Sequence, residues 1–542
     1  MRRQKWSQSY QPLKITNQCS EDQGFQLVVT PKFVSVLVYI VESALQVVWL
    51  VTPEEKPLFV KAVKMKSDSC ILQLSLFKKI IGGTKMNKKP FDFEISPFVH
   101  MVSLSDTQYE VFYNALTLGM VVVRNDVVQA LKNDIHRVRS ATVCQLCSAK
   151  ILVSTEEIAF RDLERAKKFL QKKIIGVLCL MLTESCNLRC RYCFIEHKFP
   201  VNHVFNSLTP EMAKDGIDVF VKHLPKSLEN GLEDPTISFY GGEPLLNLPT
   251  LKWALNYIAY LKDKGKIPSH VFLALNTNGT VVSPEIAKLL KKHNVSASVS
   301  VDGPQIIHDR GRPDILGKGS FQKVLKGIAI LRAYGVDVGI SCAVAMHNLK
   351  YLEEISEWFI EQIGVDVFGF NILLDGGLPD PDFNLIDYST ELGHKMVECF
   401  KIARKKGKQE ERSFRLARSF AEGRIHYYDC SACGQQLVVD PCGRFGPCHA
   451  YLHSEKNFIP PNKEIDLFSH PLWEEWRFRS PINMKQCQGC IALGICGGGC
   501  PYNAESRKGS IWKLDESFCP FARSMTRLLI KEVGKKVLLA QD

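Results

Sequence analysis

Between residues 173 and 408 short apolar runs alternate with amphipathic stretches at a regular interval, and few architectures satisfy that rhythm. "GVLCLML", "TISFY", "VFLALNT", "SASVSV", "VDVGISCAVA" and "VDVFGFNIL" read as strands, separated by helical stretches such as "TPEMAKDGIDVFVKHL" and "LKWALNYIAYLKDK". Parallel neighbours need a long crossover, and a helix is the usual one, so six successive βα units predict a parallel sheet. The expected fold class is α/β: a partial (β/α)6 barrel with ligand groups at the carboxyl ends of its strands.

What flanks the barrel differs in character. Residues 1–172 read as an α+β module, in which "QYEVFYNALTLGMVVVRNDVVQALKNDI" gives strand, turn, strand and helix before another strand and helix near "AKILVSTEEI". "FVSVLVYIVESALQVVWLV", Phe33 to Val51, is long enough for a membrane span. Glu42 near its centre and its many β-branched residues favour two adjacent buried strands instead. A charged connector at 409–429 leads to a Cys-rich segment at 430–525, and 526–542 reads as an amphipathic helix. A chain of 542 residues exceeds one core, which agrees with this division.

Lys+Arg exceeds Asp+Glu, 69 to 57, and the net charge of +12 would suit nucleic acid, a membrane surface or an acidic peptide. The basic residues are scattered, so neither nucleic acid nor membrane is expected as a partner. The first 24 residues are polar and basic, without a secretory pattern, so a cytoplasmic location is expected.

Of 19 cysteines, nine fall between Cys430 and Cys519 and three lie in "ESCNLRCRYCFIEH", Glu184 to His197. Such clustering in a large chain fits metal sites better than a disulfide scaffold. Cys186, Cys190 and Cys193 are spaced C-x3-C-x2-C directly after the first barrel strand. A four-iron cluster normally takes four Cys, so three would leave one iron open to another ligand. Zinc would want a fourth protein ligand, and His197 stands four residues on.

This triplet, with Tyr192 before its third Cys, resembles the signature of the radical S-adenosylmethionine (SAM) enzymes. The resemblance implies a [4Fe-4S] cluster whose open iron chelates SAM, and cleavage of SAM to a 5'-deoxyadenosyl radical that takes hydrogen from substrate. Tyr192 would pack beside the adenine. "SFYGGEPLL", after the second strand, is similar to the family motif for the SAM amino group and assigns Gly241, Gly242, Glu243 and Pro244 to cofactor binding. Glycines let a backbone approach a ligand, and a carboxylate can hold an ammonium. "SVSVDGPQIIHDRGRPDILGKGSF" resembles the stretch after the family's fourth strand. Ser300 would then face the SAM ribose and Arg312 its carboxylate; the alternative leaves Arg312 a loop charge and Asp302 a turn former. "NTNGT", Asn276 to Thr280, is a strand-end turn that would line the same pocket.

The C-terminal spacing C-x2-C-x5-C-x3-C-x18-C, at Cys487, Cys490, Cys496, Cys500 and Cys519, resembles the SPASM extension of radical SAM peptide and protein maturases. "CSACGQQLVVDPCGRFGPCHAYL" resembles its upstream half. Carried over, Cys487, Cys490, Cys496 and Cys519 would bind one auxiliary [4Fe-4S] cluster, and Cys430, Cys433, Cys448 and Cys500 another. That makes three clusters in all. Cys442 is read as a plain buried thiol, the alternative being a ligand in place of Cys430 or Cys433. For the "CQLC" pair at Cys144 and Cys147 no metal is expected.

Sulfatase maturases of this family carry an Asp, used as a base, where this chain has His449; "GPCHAYLHSEKNFI" instead resembles thioether-forming peptide maturases. The N-terminal module resembles segments that grip a leader peptide by strand addition. The expected function is modification of a ribosomally made peptide, with a thioether from Cys as the product and a flavodoxin or ferredoxin as electron donor. The alternatives are a sulfatase-type maturase forming formylglycine from Cys or Ser, and a non-catalytic iron–sulfur or zinc protein.

Overall fold

The computed structural model describes residues 48–51, 93–133, 138–154, 158–195, 199–200, 202–375, 384–452 and 454–540. His197 and most of the Phe33–Val51 run lie outside them. The chain divides into two compact units.

The first unit takes the described residues up to Ile158, with Arg418–Arg424 and the chain from Lys531 onward. β1 (Val48–Val51), β3 (Val99–Ser103), β4 (Tyr109–Asn114) and β5 (Met120–Arg124) form a sheet in the order β1-β5-β4-β3, while β2 (Phe93–Ile95) pairs with β6 (Leu152–Ser154). Val48–Val51, the end of the apolar run, is thus a strand, parallel to β5. Phe112, Val121 and Val123 bury one face of this sheet against Leu146 and Ile151. α1 (Asn125–Asn133) follows β5, and α2 (Ser140–Ser148) carries Cys144 and Cys147 one turn apart. Among the described residues no helix is long and apolar enough to cross a membrane.

The second unit takes 159–417 and 425–530. Its sheet has nine strands in the order β13-β12-β11-β10-β9-β8-β7-β14-β15. All six apolar segments read from the sequence are in it, as β7 (Val177–Met181), β8 (Thr236–Tyr240), β9 (Phe272–Thr277), β10 (Val295–Ser300), β11 (Val338–Val344) and β12 (Val367–Ile372). Each is parallel to its neighbour. Crossovers run through α3 (Pro210–Glu229), α4 (Leu248–Asp263), α5 (Pro284–Lys292), α6 (Gln305–Gly311), α7 (Phe321–Ala333) and α8 (Leu352–Trp358). α3 starts where the Thr209 side chain accepts from Met212 N and Pro210 takes the first turn, and it buries Ala213, Ile217, Phe220 and Leu224 at helical spacing.

At its edges the sheet departs from the sequence reading. Part of the expected connector is a strand, since β13 (Gln409–Glu410) extends the sheet beside β12. At the other edge β14 (Gln436–Val439) pairs in parallel with Val177–Leu180, and β15 (Phe445–Gly446) adds an antiparallel strand. The Cys-rich segment is therefore part of this sheet. His223 on α3 accepts from Leu467 N at 3.1 Å, and the buried Trp473 donates to Gln436 O at 2.8 Å, fastening more of that segment to the same body.

A buried arginine organises the rest. Arg479, fully enclosed, donates to Ile511 O at 2.7 Å and to Gly498 O and Gly499 O at 2.8 and 3.1 Å. Gly497, Gly498 and Gly499 have φ of 70, 90 and 64°, a run of left-handed backbone that side chains other than glycine resist.

Candidate functional site

Inward-facing positions of the sheet are small or polar where its strands end. Along β8, β9, β10, β11 and β12 burial alternates residue by residue, and Ser238, Asn276, Ser300, Ser341 and Asn371 occupy the less buried phase. Asn276 donates to Ser238 Oγ at 3.2 Å and Asn371 to Ser341 Oγ at 2.8 Å. Asn276, Ser300, Ser341 and Asn371 line a cavity of about 490 Å³. The strands were expected to be apolar runs; their alternation was the missed signal.

Cys186, Cys190 and Cys193 reach the same cavity from the loop after β7. The loop is tied at both ends. Glu184, buried, accepts from Asn206 N at 2.7 Å and lies 2.9 Å from His203 Nε2. Farther on, Arg189 N donates to Pro313 O at 2.8 Å and Arg191 N to Gly311 O at 3.0 Å, so this stretch runs as a short antiparallel ribbon against 311–314. Alternate side chains then point opposite ways: Cys190 lines the cavity, while Arg189 and Arg191 are exposed.

The "GGEP" residues sit behind this loop. A Cβ on Gly242 would stand 2.3 Å from Ser185 O and 2.5 Å from Glu184 O, and one on Gly241 2.5 Å from Thr183 O. Gly242 N and Glu243 N donate to Thr183 O and Ser185 O, both at 2.8 Å. The close approach these glycines permit is therefore to the Cys loop, and both also line the cavity. Glu243 differs from its expected placement. Fully buried, it accepts from Asn278 N at 2.7 Å, Thr277 Oγ1 at 2.8 Å and Leu245 N at 3.0 Å, and neither it nor the buried Pro244 is among the cavity-lining residues. Burial pushes the Glu243 carboxyl up to about 7 despite these donors. Glu243 thus joins the "NTNGT" turn to the Cys loop, and Asn278 in turn reaches Cys186 Sγ at 3.8 Å and Asn187 Oδ1 at 2.9 Å. We expect Gly242→Ala to cost ~1–3 kcal/mol by overpacking against rigid backbone, and to lower iron content after reconstitution more than it lowers helix content by circular dichroism.

Arg312 and Tyr192 meet at a residue to which the motif resemblance gave no role. Asp302, with no exposed surface, accepts from Arg312 Nε at 3.0 Å and Tyr192 OH at 2.5 Å, and its Oδ2 lies 3.2 Å from His347 Nε2. Burial opposes ionisation, but the Arg312 guanidinium, aided by His347, holds the Asp302 carboxyl well below the usual carboxylate range. Arg312 also lies over the Tyr192 ring, 5.3 Å from its centroid, and its Nη1 is 3.9 Å from Cys190 Sγ. Asp302 thus fixes both side chains assigned to the cofactor.

A second wall of the cavity carries Cys430, Cys448 and Cys500. Burial pushes the Cys448 thiol well up, and Cys430, Cys500 and Cys433 add to the rise; burial, with Cys430 adding, takes Cys433 to about 12. Burial likewise raises Cys496, with Cys519, Cys490 and Cys487 adding, and takes Cys519 to about 12. The thiols that act on Cys448 are those of Cys430, Cys433 and Cys500, and those that act on Cys496 are Cys487, Cys490 and Cys519; Cys430 also acts on the buried Cys179. Cys442 belongs to neither set. Contrary to expectation it is exposed, because Asp440 Oδ1 accepts from Cys442 N and Arg444 N and bends the chain into a turn there. His449 lines the cavity with its ring 5.0 Å from that of Tyr240. Burial holds its imidazole down to about 4, and its Nδ1 is enclosed without a hydrogen-bond partner. Arg412 and Arg415, which the sequence reading did not single out, complete this wall.

Residues 180–359, which span β7 to β11 and the Cys loop, match the Radical SAM superfamily. This is a radical SAM domain. The chain is 27% identical over 372 residues to the radical SAM cyclopropyl synthase TigE of Paramaledivibacter caminithermalis, covering 66% of this chain and 74% of that protein. It is 27% identical over 360 residues to a cysteine-type anaerobic sulfatase-maturating enzyme of Clostridium novyi, covering 61% of this chain and 89% of that one. Among solved structures, native anSMEcpe with bound AdoMet superposes with a TM-score of 0.54 at 21% identity, covering 68% of this chain and 99% of that chain, which shows a shared fold.

A radical SAM domain implies a [4Fe-4S] cluster and SAM, and the residues at the first wall fit both. Among the described residues no cysteine forms a disulfide, and no three His, Cys, Asp or Glu side chains converge on a single ion. Burial pushes Cys186 and Cys190 to about 12, so thiolates there require a positive centre to stabilise them. Gly241 and Gly242 keep the adjoining wall free of side chains.

Proposed function

We propose that this radical SAM enzyme modifies a ribosomally made peptide, forming a thioether cross-link from a Cys. The observation that carries the proposal is that one cavity is lined both by Cys186, Cys190 and Cys193 of the loop after β7 and by Cys430, Cys448 and Cys500 of the Cys-rich segment. In this reading β7–β12 form a partial barrel, residues 430–525 are a SPASM domain, and the two groups of four thiols hold two auxiliary [4Fe-4S] clusters. The 1–172 module binds the leader of the precursor, and the helix expected at 526–542 is instead one over Cys519–Leu539. Cys186, Cys190 and Cys193 hold the third cluster. When bound there, SAM supplies a 5'-deoxyadenosyl radical on one-electron reduction.

The chain's own residues then have definable tasks. Asn276 and Ser300 offer polar groups to the cofactor's ribose, and Arg312, held by Asp302, keeps a cation beside Cys190. Gly241 and Gly242 leave backbone open to the cofactor's amino group. His449, neutral and with an unpartnered Nδ1, offers a hydrogen-bonding atom to the peptide group entering the cavity. The second wall would take a substrate Cys thiolate close to its own cluster.

A second reading, oxidation of Cys or Ser to formylglycine, draws on the likeness to sulfatase-maturating enzymes. Mass spectrometry of a Cys-containing precursor, incubated anaerobically with reconstituted protein, SAM and reductant, separates them. We expect a product lighter by two hydrogens that keeps its sulfur and no longer alkylates with iodoacetamide. Loss of sulfur from the Cys, or a two-hydrogen loss that leaves the thiol alkylatable and creates an aldehyde reactive toward a hydrazine, would favour formylglycine, whereas two-hydrogen loss with an alkylatable thiol and no aldehyde would point to a bond made elsewhere.

A further inference from the structure

The outer side of the Cys loop has a surface that the reaction inside the cavity does not use. Ile306 on α6 is 87% exposed, and Ile315 and Leu316, at the tip of the following turn, are 57% and 74% exposed. That turn is built: Asp314 Oδ1 accepts from Leu316 N and Lys318 N, both at 2.9 Å, so the two apolar side chains are held at its tip. Isolated exposed apolar residues are ordinary, but three on one short segment mark a contact surface.

Their surroundings are basic. Arg310 and Lys318 are exposed on the same segment, and Arg189 and Arg191 are exposed on the strand-like stretch paired with it through Pro313 O and Gly311 O. The acids nearby are already engaged. Asp309 accepts from Phe321 N at 2.9 Å, and Asp314 serves its turn and pairs with Lys323 at 3.3 Å. Exposed apolar side chains and exposed guanidinium and ammonium groups on the same two paired segments suit a partner that presents both acidic and apolar groups. The position adds a further restriction. Arg189 and Arg191 flank Cys190, whose side chain lines the cavity, so a partner seated here is separated from the proposed cluster by one thickness of backbone.

We infer that this face, made by the outer edge of the Cys loop and the α6 segment beside it, docks an acidic protein that delivers single electrons to the site. The inference rests on the radical SAM reading and names where its reductant binds. The donor is oxidised by one electron, the enzyme's iron–sulfur centre is reduced by one, and no atoms are exchanged.

The test compares a protein donor with a small one on the reconstituted full chain, reading 5'-deoxyadenosine, and also measures flavodoxin binding by calorimetry on the full chain without SAM or reductant, where both variants below should weaken affinity at least about tenfold. In Arg310→Glu/Lys318→Glu and, separately, Ile306→Ser/Leu316→Ser, the rate with reduced flavodoxin falls at least about tenfold while the rate with dithionite stays within about twofold. In the unaltered protein the flavodoxin-driven rate also falls several-fold between about 50 and about 300 mM salt, as screening of these charges requires. Should either variant lose the dithionite rate as well, the salt series decides. Flavodoxin rates indifferent to salt and to both variants overturn the inference and leave the radical reading intact. A protein that cleaves no SAM with either donor overturns the reading itself, and the inference with it.

Discussion

Replacing Cys186, Cys190 and Cys193 together with alanine is expected to abolish reductive cleavage of SAM, bringing 5'-deoxyadenosine to the level of a no-enzyme control. The single variants should fall nearly as far as the triple, because ligands that act as a unit are not additive. Iron per reconstituted chain should drop from ~12 to ~8, a loss of one four-iron cluster, if the two C-terminal groups of thiols are independent of the first. The loop should survive the change. Its backbone is held by Arg189 N to Pro313 O, Arg191 N to Gly311 O and Glu243 N to Ser185 O, none of which involves a thiol. A variant that keeps the full iron content, or still cleaves SAM, removes the basis for the proposed function.

The second large effect is expected at Asp302. Asp302→Asn keeps the shape of the side chain but leaves the Arg312 guanidinium, 9% exposed, without its counter-charge, and breaking one partner of such a buried pair costs ~3–5 kcal/mol. Arg312→Met should cost a similar amount by stranding the carboxylate, and the double variant should be milder than the sum, since it strands no charge. Urea midpoints under anaerobic conditions measure all three. The sign with pH is fixed by the lowered folded-state value of Asp302. Its stabilisation is complete above the unfolded carboxyl value of ~3.9 and fades as pH falls toward the folded one, so the gap between native and Asp302→Asn should narrow below about pH 4. A gap that widens with acid would mean that Asp302 is not ionised in the folded protein. Cofactor affinity should weaken alongside, since Tyr192 and Arg312 both lose their anchor.

Much of the barrel was legible because strand and helix periods are local. The segments "TISFY" and "SASVSV" are short runs set off from the helical stretches within a few residues, and Thr209-Pro210 marks a helix start in the same way. The thiol triplet was legible for a similar reason, since ligands to one centre can lie within eight positions of each other. Glu243 was not. Its residue type suited an ammonium partner, but the donors that claim it are Asn278 N and Thr277 Oγ1, over 30 positions away. Cys442 was misplaced because only the turn closed by Asp440 shows that its side chain leaves the core.

By itself, then, the sequence determined the βα rhythm, the three-thiol loop after β7, the Cys spacing downstream and the glycine pair of "GGEP", whose close approach to that loop only the structure showed. The tertiary structure alone decided what faces what. It put β14 beside β7, so that Cys430 and Cys448 open onto the cavity of Cys186, Cys190 and Cys193. It also brought Tyr192 to Asp302, 110 residues apart, and made Asp302 the counter-ion of Arg312. The physical reason is that spacing encodes which atoms one short segment can present together. Pairing across a sheet and the burial of a charge depend on distant residues, and they are settled only when the whole core closes.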